Sequence, residues 1–156
     1  MFKNSLFAEM IALNLPTFEY ILKKESGKMF ILDILRKKYL VLTPEEWVRQ
    51  HFIHFLIKVH HYPRSLIKVE GGLTFNRLQK RSDIVIFNRE GQPWMVVECK
   101  APDVKLRQDT IEQAAVYNHT LKARYIVITN GMTHYYCEVN WEEGTTLLLT
   151  ELPVFG

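Results

Sequence analysis

Asp83, Glu98 and Lys100 are the residues of this chain whose types and spacing suit metal-assisted chemistry. They lie in R-S-D-I-V-I-F-N-R-E-G-Q-P-W-M-V-V-E-C-K-A-P, residues 81–102, where two apolar runs flank a turn-forming segment. Two neighbouring carboxylates repel, and each is costly to desolvate unless a cation pairs with it. A pocket of carboxylate, main-chain carbonyl and water oxygens suits Mg2+. A lysine beside such an ion orients or deprotonates a water, or neutralises charge growing on a phosphate. The set asks for attack of water on a phosphodiester. Asp83, Glu98 and the Cys99 carbonyl would hold Mg2+ or Mn2+, and Lys100 would act on the water.

That chemistry needs the side chains to converge, and the hairpin pattern predicts that they do. Residues 83–87 and 94–101 read as antiparallel strands around a turn at 88–93 centred on Glu90-Gly91. Folding about the Glu90–Gly91 bond sets Asp83 opposite Glu98 on one face, with Cβ atoms about 4.5–5.5 Å apart. Strand period two adds Lys100 and Val96 to that face and turns the Cys99 side chain away. A slip of one residue would part the two carboxylates.

Around the hairpin, Thr43 reads as a helix N-cap, with Pro44 at the first helical position and Glu46 three residues after the cap. Val48, Phe52, Phe55, Leu56 and Val59 then mark a buried face as far as His60 or His61. Residues 18–22 and 29–32 read as an earlier hairpin. Residues 34–42 read as an extended segment whose Arg36, Lys37 and Lys38 guard a solvated sheet edge or, alternatively, touch phosphates. Residues 1–15 read as a short helix or an arm packed on the core. Residues 66–70 and 73–78 read as strands about Gly71-Gly72, and 109–123 as a helix burying Ile111, Ala114, Ala115 and Leu121. Strands are expected at 125–129, 133–139 and 145–152. This order predicts an α/β core with a central mixed sheet, the second helix crossing over to a parallel strand. The expected organisation is one domain, with an N-terminal hairpin extension (1–42), a core (43–140) and a C-terminal strand (141–156).

With those residues in view, Ser82-Asp83 followed by Glu98-Cys99-Lys100 resembles the PD-(D/E)xK nuclease signature. T-P-E-E-W-V-R-Q at 43–50, E-C-K-A-P at 98–102, Q-A-A-V-Y-N at 113–118 and T-N-G at 129–131 follow in order. The ordered set resembles the N-terminal nuclease domain of type I restriction enzyme R subunits, over roughly residues 33–140. Ser82 stands where the motif name has proline. The resemblance implies a restriction-endonuclease-like core, DNA as substrate and other restriction-modification subunits as partners. It also implies that a glutamate of the first helix, here Glu46, reaches the metal. Gln113 and Tyr117, four apart on one helix face, resemble the Q-x-x-x-Y element of RecB-like nucleases, which sits beside the active edge and approaches DNA.

Each of these residues has a plainer alternative. Glu46 completes a capping box and needs no further role. Glu70 is a second candidate for the extra carboxylate. Arg77, Lys80 and Arg81 precede Asp83 and suit phosphate contacts or loop solubility, and Arg49 and Gln50 line either the same edge, with Arg49 as a candidate nucleic-acid contact, or the surface. Tyr117 without the acidic set would be a core-edge aromatic. The six histidines lack zinc spacing and are expected to face solvent or cap.

Composition narrows the classes. At 156 residues, 47% hydrophobic and 24% charged, the chain has the make-up of a globular domain able to bury a core. A net charge of +3 permits a polyanionic partner without requiring one. Two cysteines without CxxC spacing make no disulfide framework and suggest a reducing cytoplasm. No apolar run approaches a membrane span, and neither a Walker loop nor a G-x-G-x-x-G is present. A rival from another class is a catalytically silent DNA-binding or assembly module of the same fold. A third reading is an RNA nuclease or another metal-dependent phosphodiesterase. A lone domain without a motor would also need a partner chain, or a homodimer to cut both strands.

Overall fold

The computed structural model describes residues 10–69 and 84–156. The expectations for Glu70, Arg77, Lys80, Arg81 and Asp83, and for strand 73–78, fall outside these residues. Among the described residues the architecture is mixed α/β, with a three-stranded sheet, a six-stranded mixed sheet and two α-helices.

The small sheet is an antiparallel meander of β1 (Leu22–Glu25), β2 (Lys28–Asp33) and β3 (Lys38–Val41). Ser26 and Gly27 join β1 to β2, both with positive φ, as a two-residue hairpin turn of the primed kind requires. The segment expected to stay extended after residue 34 folds back instead. Asp33 is fully buried, and its Oδ1 accepts from the backbone amides of Leu35 and Arg36 while Oδ2 accepts from Arg36 Nε. That aspartate makes the turn a local decision of the side chain, which apolar periodicity does not register.

Helix α1 (Pro44–His54) begins as its sequence predicts, with Thr43 Oγ1 accepting from the Glu46 amide at 3.0 Å. It does not run regularly to His60. Residues Phe55–Val59 form a π turn, closed by the His60 amide on the Phe55 carbonyl. The wider turn rotates Val59 out of the apolar face, leaving it 46% exposed.

The large sheet runs β4 (Ile67–Val69), β5 (Ile84–Phe87), β6 (Pro93–Cys99), β7 (Tyr125–Thr129), β8 (His134–Asn140) and β9 (Thr145–Leu149), in that spatial order. Only the β6–β7 pair is parallel, and helix α2 (Gln108–Leu121) connects it. The helices cover opposite faces. Val48, Phe52, Ile53 and Leu56 of α1 pack with Ile84, Ile86, Met95, Val97 and Cys99. Ala114 of α2 packs with Val85, Val96, Ile126 and Ile128. The C-terminus of α2 is tied to the sheet by buried Asn118, whose amide both donates to the Ala123 carbonyl and accepts its N–H. Among the described residues no helix is long and apolar enough to cross a membrane.

Candidate active site

Strand β6 sets the site. Val85 pairs with Val96 and Ile84 with Val97, so the hairpin register is the one that the acidic reading needs. The turn end departs by one residue: a register shift between Ile86 and Phe87 pairs Phe87 with Pro93 where symmetric folding would have given Trp94, while Gly91 has φ +81° and Asn88 Oδ1 accepts from the amides of Glu90 and Gln92. Asp83 itself lies outside the described residues. Alternation along β6 puts Glu98 on the face of Val96, under α2, and the Cys99 side chain on the α1 face, where it is buried. Lys100 Nζ stands 3.4 Å from Glu98 Oε1, both side chains partly exposed at the end of the strand. A carboxylate and an ammonium thus meet where an oily hairpin reaches solvent.

The backbone beneath this pair is fixed from the neighbouring strand. The Lys100 amide donates to the Thr129 carbonyl at 2.8 Å, the last rung of the parallel ladder. Past that rung, Thr129, Asn130 and Gly131 form a hydrogen-bonded knot. Asn130 Oδ1 accepts from the Met132 and Thr133 amides, and Asn130 Nδ2 donates to the Val104 carbonyl. Thr129 Oγ1 accepts from the Gly131 amide and bonds His134 Nδ1 at 2.7 Å. His134 Nε2 lies 3.0 Å from the Asn14 carbonyl, which only accepts. Nε2 therefore carries the proton, and neutral Nδ1 receives the Thr129 hydroxyl. Burial pushes this imidazole's pKa down, in keeping with the neutral tautomer. The T-N-G stretch is in the sequence as a turn signal, but its tie to residue 104 is long-range and has no local signature.

Glu46 does not fold back to finish a capping box. It is 7% exposed, with Oε1 accepting from Arg49 Nη1 and Oε2 from Gln50 Nε2 at 2.8 Å. Arg49 also pairs with Glu45 at 3.1 Å. Gln50 is wholly buried, and among the described residues its Oε1 accepts no hydrogen bond. Arg49 and Gln50 thus face inward, against the alternative that placed them on the surface. Val48 packs close to Gly131, so the first turn of α1 shares the sheet end where β6 and β7 finish, although α1 covers the face opposite Glu98.

On α2, Gln113 is exposed and Tyr117 is half-buried, on the helix that covers the Glu98 face. His61 and His119 are exposed as expected, whereas His51 and His54 correct the expectation of solvent-facing side chains. His51 and His54 are buried in an aromatic group with Phe18 and Trp47, His54 stacking on Phe18 at 4.1 Å. Their pKa values fall below the ordinary 6.5 because burial penalises the cation, that of His54 to about 4. Among the described residues no three His, Cys, Asp or Glu side chains stand together as a metal site. A hard cation here would draw on Glu98, the Cys99 carbonyl and a further carboxylate. That set is all oxygen, and it fits Mg2+ or Mn2+ chemically.

No curated protein matches this chain. Among solved structures, a fragment assigned as an HsdR subunit of a type I restriction enzyme from Vibrio vulnificus YJ016 is similar at 28% identity. The match covers 56% of this chain and 16% of that one, with a TM-score of 0.37. The family model described as "Type I restriction enzyme R protein N terminus" matches residues 44–153, which hold α1, the whole large sheet and α2. The chain belongs to the family of type I restriction enzyme R protein N-termini.

Proposed function

We propose that this chain is a metal-dependent nuclease domain of PD-(D/E)xK type that hydrolyses DNA phosphodiester bonds as part of a restriction system. The observation that carries this reading is the Glu98–Lys100 pair at the end of β6, in a hairpin whose register aligns with the signature. Membership of the R-subunit family supports the same direction and suggests DNA and other restriction-modification subunits as partners. Asp83, Glu98 and the Cys99 carbonyl would hold Mg2+ or Mn2+, with Glu46 as an additional carboxylate. The bound ion would supply Lewis-acid polarisation of the phosphate and a more acidic water. Lys100 positions the attacking water and offsets charge on the phosphate as the oxygen attacks. Gln113 and Tyr117 line the approach from α2, while Arg49 holds Glu46 in place, and Lys80 and Arg81 contact the phosphate backbone.

Glu98→Ala tests this reading. Calorimetric titration of Mn2+ and plasmid nicking should both succeed with the wild type and both fail with the variant. Its melting temperature without metal should stay level, since the partly exposed Glu98–Lys100 ion pair that the variant loses is worth little. Nicking retained by Glu98→Ala would sink the assignment.

A further inference from the structure

We propose that Asn130 is a positioning residue for Lys100, acting through the turn at residues 101–104; this rests on the role given to Lys100 above. Lys100 is the point at which the chain leaves the sheet. Its amide makes the last rung to Thr129, while its Nζ must stay by Glu98, 3.4 Å away. A lysine side chain has four rotatable bonds, so the backbone at its base decides where the ammonium is presented.

That backbone continues into a turn closed by the Val104 amide on the Ala101 carbonyl at 3.0 Å. Asn130, 7% exposed, grips the same turn from the other side, Nδ2 donating to the Val104 carbonyl at 2.8 Å. Its Oδ1 meanwhile accepts from Met132 and Thr133, at 2.9 and 2.8 Å.

The two halves of the amide have separable duties. Loop closure needs only the oxygen. The β7–β8 loop is also fixed by Thr129 Oγ1 on the Gly131 amide and by the Asn14 amide on the Gly131 carbonyl. The nitrogen is what loop closure does not need, and it alone reaches the chain leading out of Lys100. An asparagine that served only its own loop would be replaceable by aspartate.

Asn130→Asp keeps the acceptor and sets a carboxylate oxygen against the Val104 carbonyl, breaking the clamp alone. Asn130→Ser is the second variant; its hydroxyl serves the loop amides but falls short of Val104. The experiment combines amide hydrogen exchange, Mn2+ titration and plasmid-nicking kinetics on the full chain. In whichever variant folds, exchange at Lys100 and Val104 should quicken at least about tenfold while residues 94–98 keep wild-type protection. Mn2+ affinity and the KM for plasmid should hold, and kcat should fall about 10- to 100-fold, as when a partner behind a functional group is removed. Unchanged exchange at Lys100 and Val104, or wild-type kcat in a folded variant, would overturn the proposal. Should the wild type neither bind Mn2+ nor nick, the nuclease reading fails, and the exchange rates still decide whether Asn130 holds the turn.

Discussion

Gly131 has φ +84°, and a Cβ built on it would lie 2.9 Å from Leu13 Cδ2 and 3.1 Å from Val48 Cγ2. The backbone conformation therefore demands glycine at the crossing of the N-terminal arm, α1 and the loop beside Lys100, and a Cβ there would also make Leu13 and Val48 give way. Gly131→Ala should cost about 1–3 kcal/mol, from the left-handed conformation and the overpacked contact. A lowered urea midpoint at unchanged slope would register it; a wild-type midpoint would mean the arm does not pack there in solution. Lys100→Ala addresses the chemistry instead. Because Glu98 and the Cys99 carbonyl remain, Mn2+ titration should be preserved while nicking falls at least about a hundredfold. Surviving turnover would remove Lys100 from the mechanism. Glu98 and Lys100 were legible as a pair because strand alternation is a rigid rule. The inward turn of Glu46 onto Arg49 and Gln50 was not, since T-x-x-E at a helix start is equally well satisfied by a reciprocal cap.

Elements whose ends are set by neighbouring residues were the readable ones. Thr43-Pro44 starts α1 where the sequence says, and the Y-I-V-I-T run is β7 without adjustment. The turn after Asp33 was not readable because a buried carboxylate decides it, and the π turn at Phe55–Val59 has no signal in the apolar spacing, which runs on through Val59. The exit of α2 shows such a compromise within one helix. Lys122 takes the left-handed conformation there, φ +53°, with its amide on the Asn118 carbonyl. A non-glycine residue pays about 1 kcal/mol for that geometry. Lys122→Gly should therefore stabilise the domain by roughly 0.5–1 kcal/mol, less the entropy that glycine adds to the unfolded chain. Thermal denaturation would check it. A destabilised Lys122→Gly would show that the lysine side chain contributes more than its backbone costs.

At the scale of the molecule, the mixed sheet with a helix crossing over to a parallel strand followed from the order of elements, which chain connectivity restricts to few arrangements; that α1 and α2 cover opposite faces is read from the packing. What connectivity does not show is which polar residues end up inside. His51 and His54 illustrate this, lying on α1 against the rings of Phe18 and, for His51, Trp47. Desolvation is the main force lowering the His54 pKa to about 4, and the charges of Lys58, Arg64 and His51 add to it, with Asp33 opposing. The native state therefore binds fewer protons than the unfolded chain between the ordinary histidine pKa and about 4. The stabilisation is complete above about pH 6.5 and is lost as pH falls through that window. His54 alone should remove on the order of 1 kcal/mol between about pH 7.5 and pH 5.5, a range that avoids most carboxylate titration. His51, His60 and His134 shift in the same direction and should steepen the slope. Urea unfolding at the two pH values measures the loss. In His54→Phe, where an uncharged ring stacks on Phe18, the loss should shrink by about that amount; an identical loss in both proteins would place the proton uptake elsewhere.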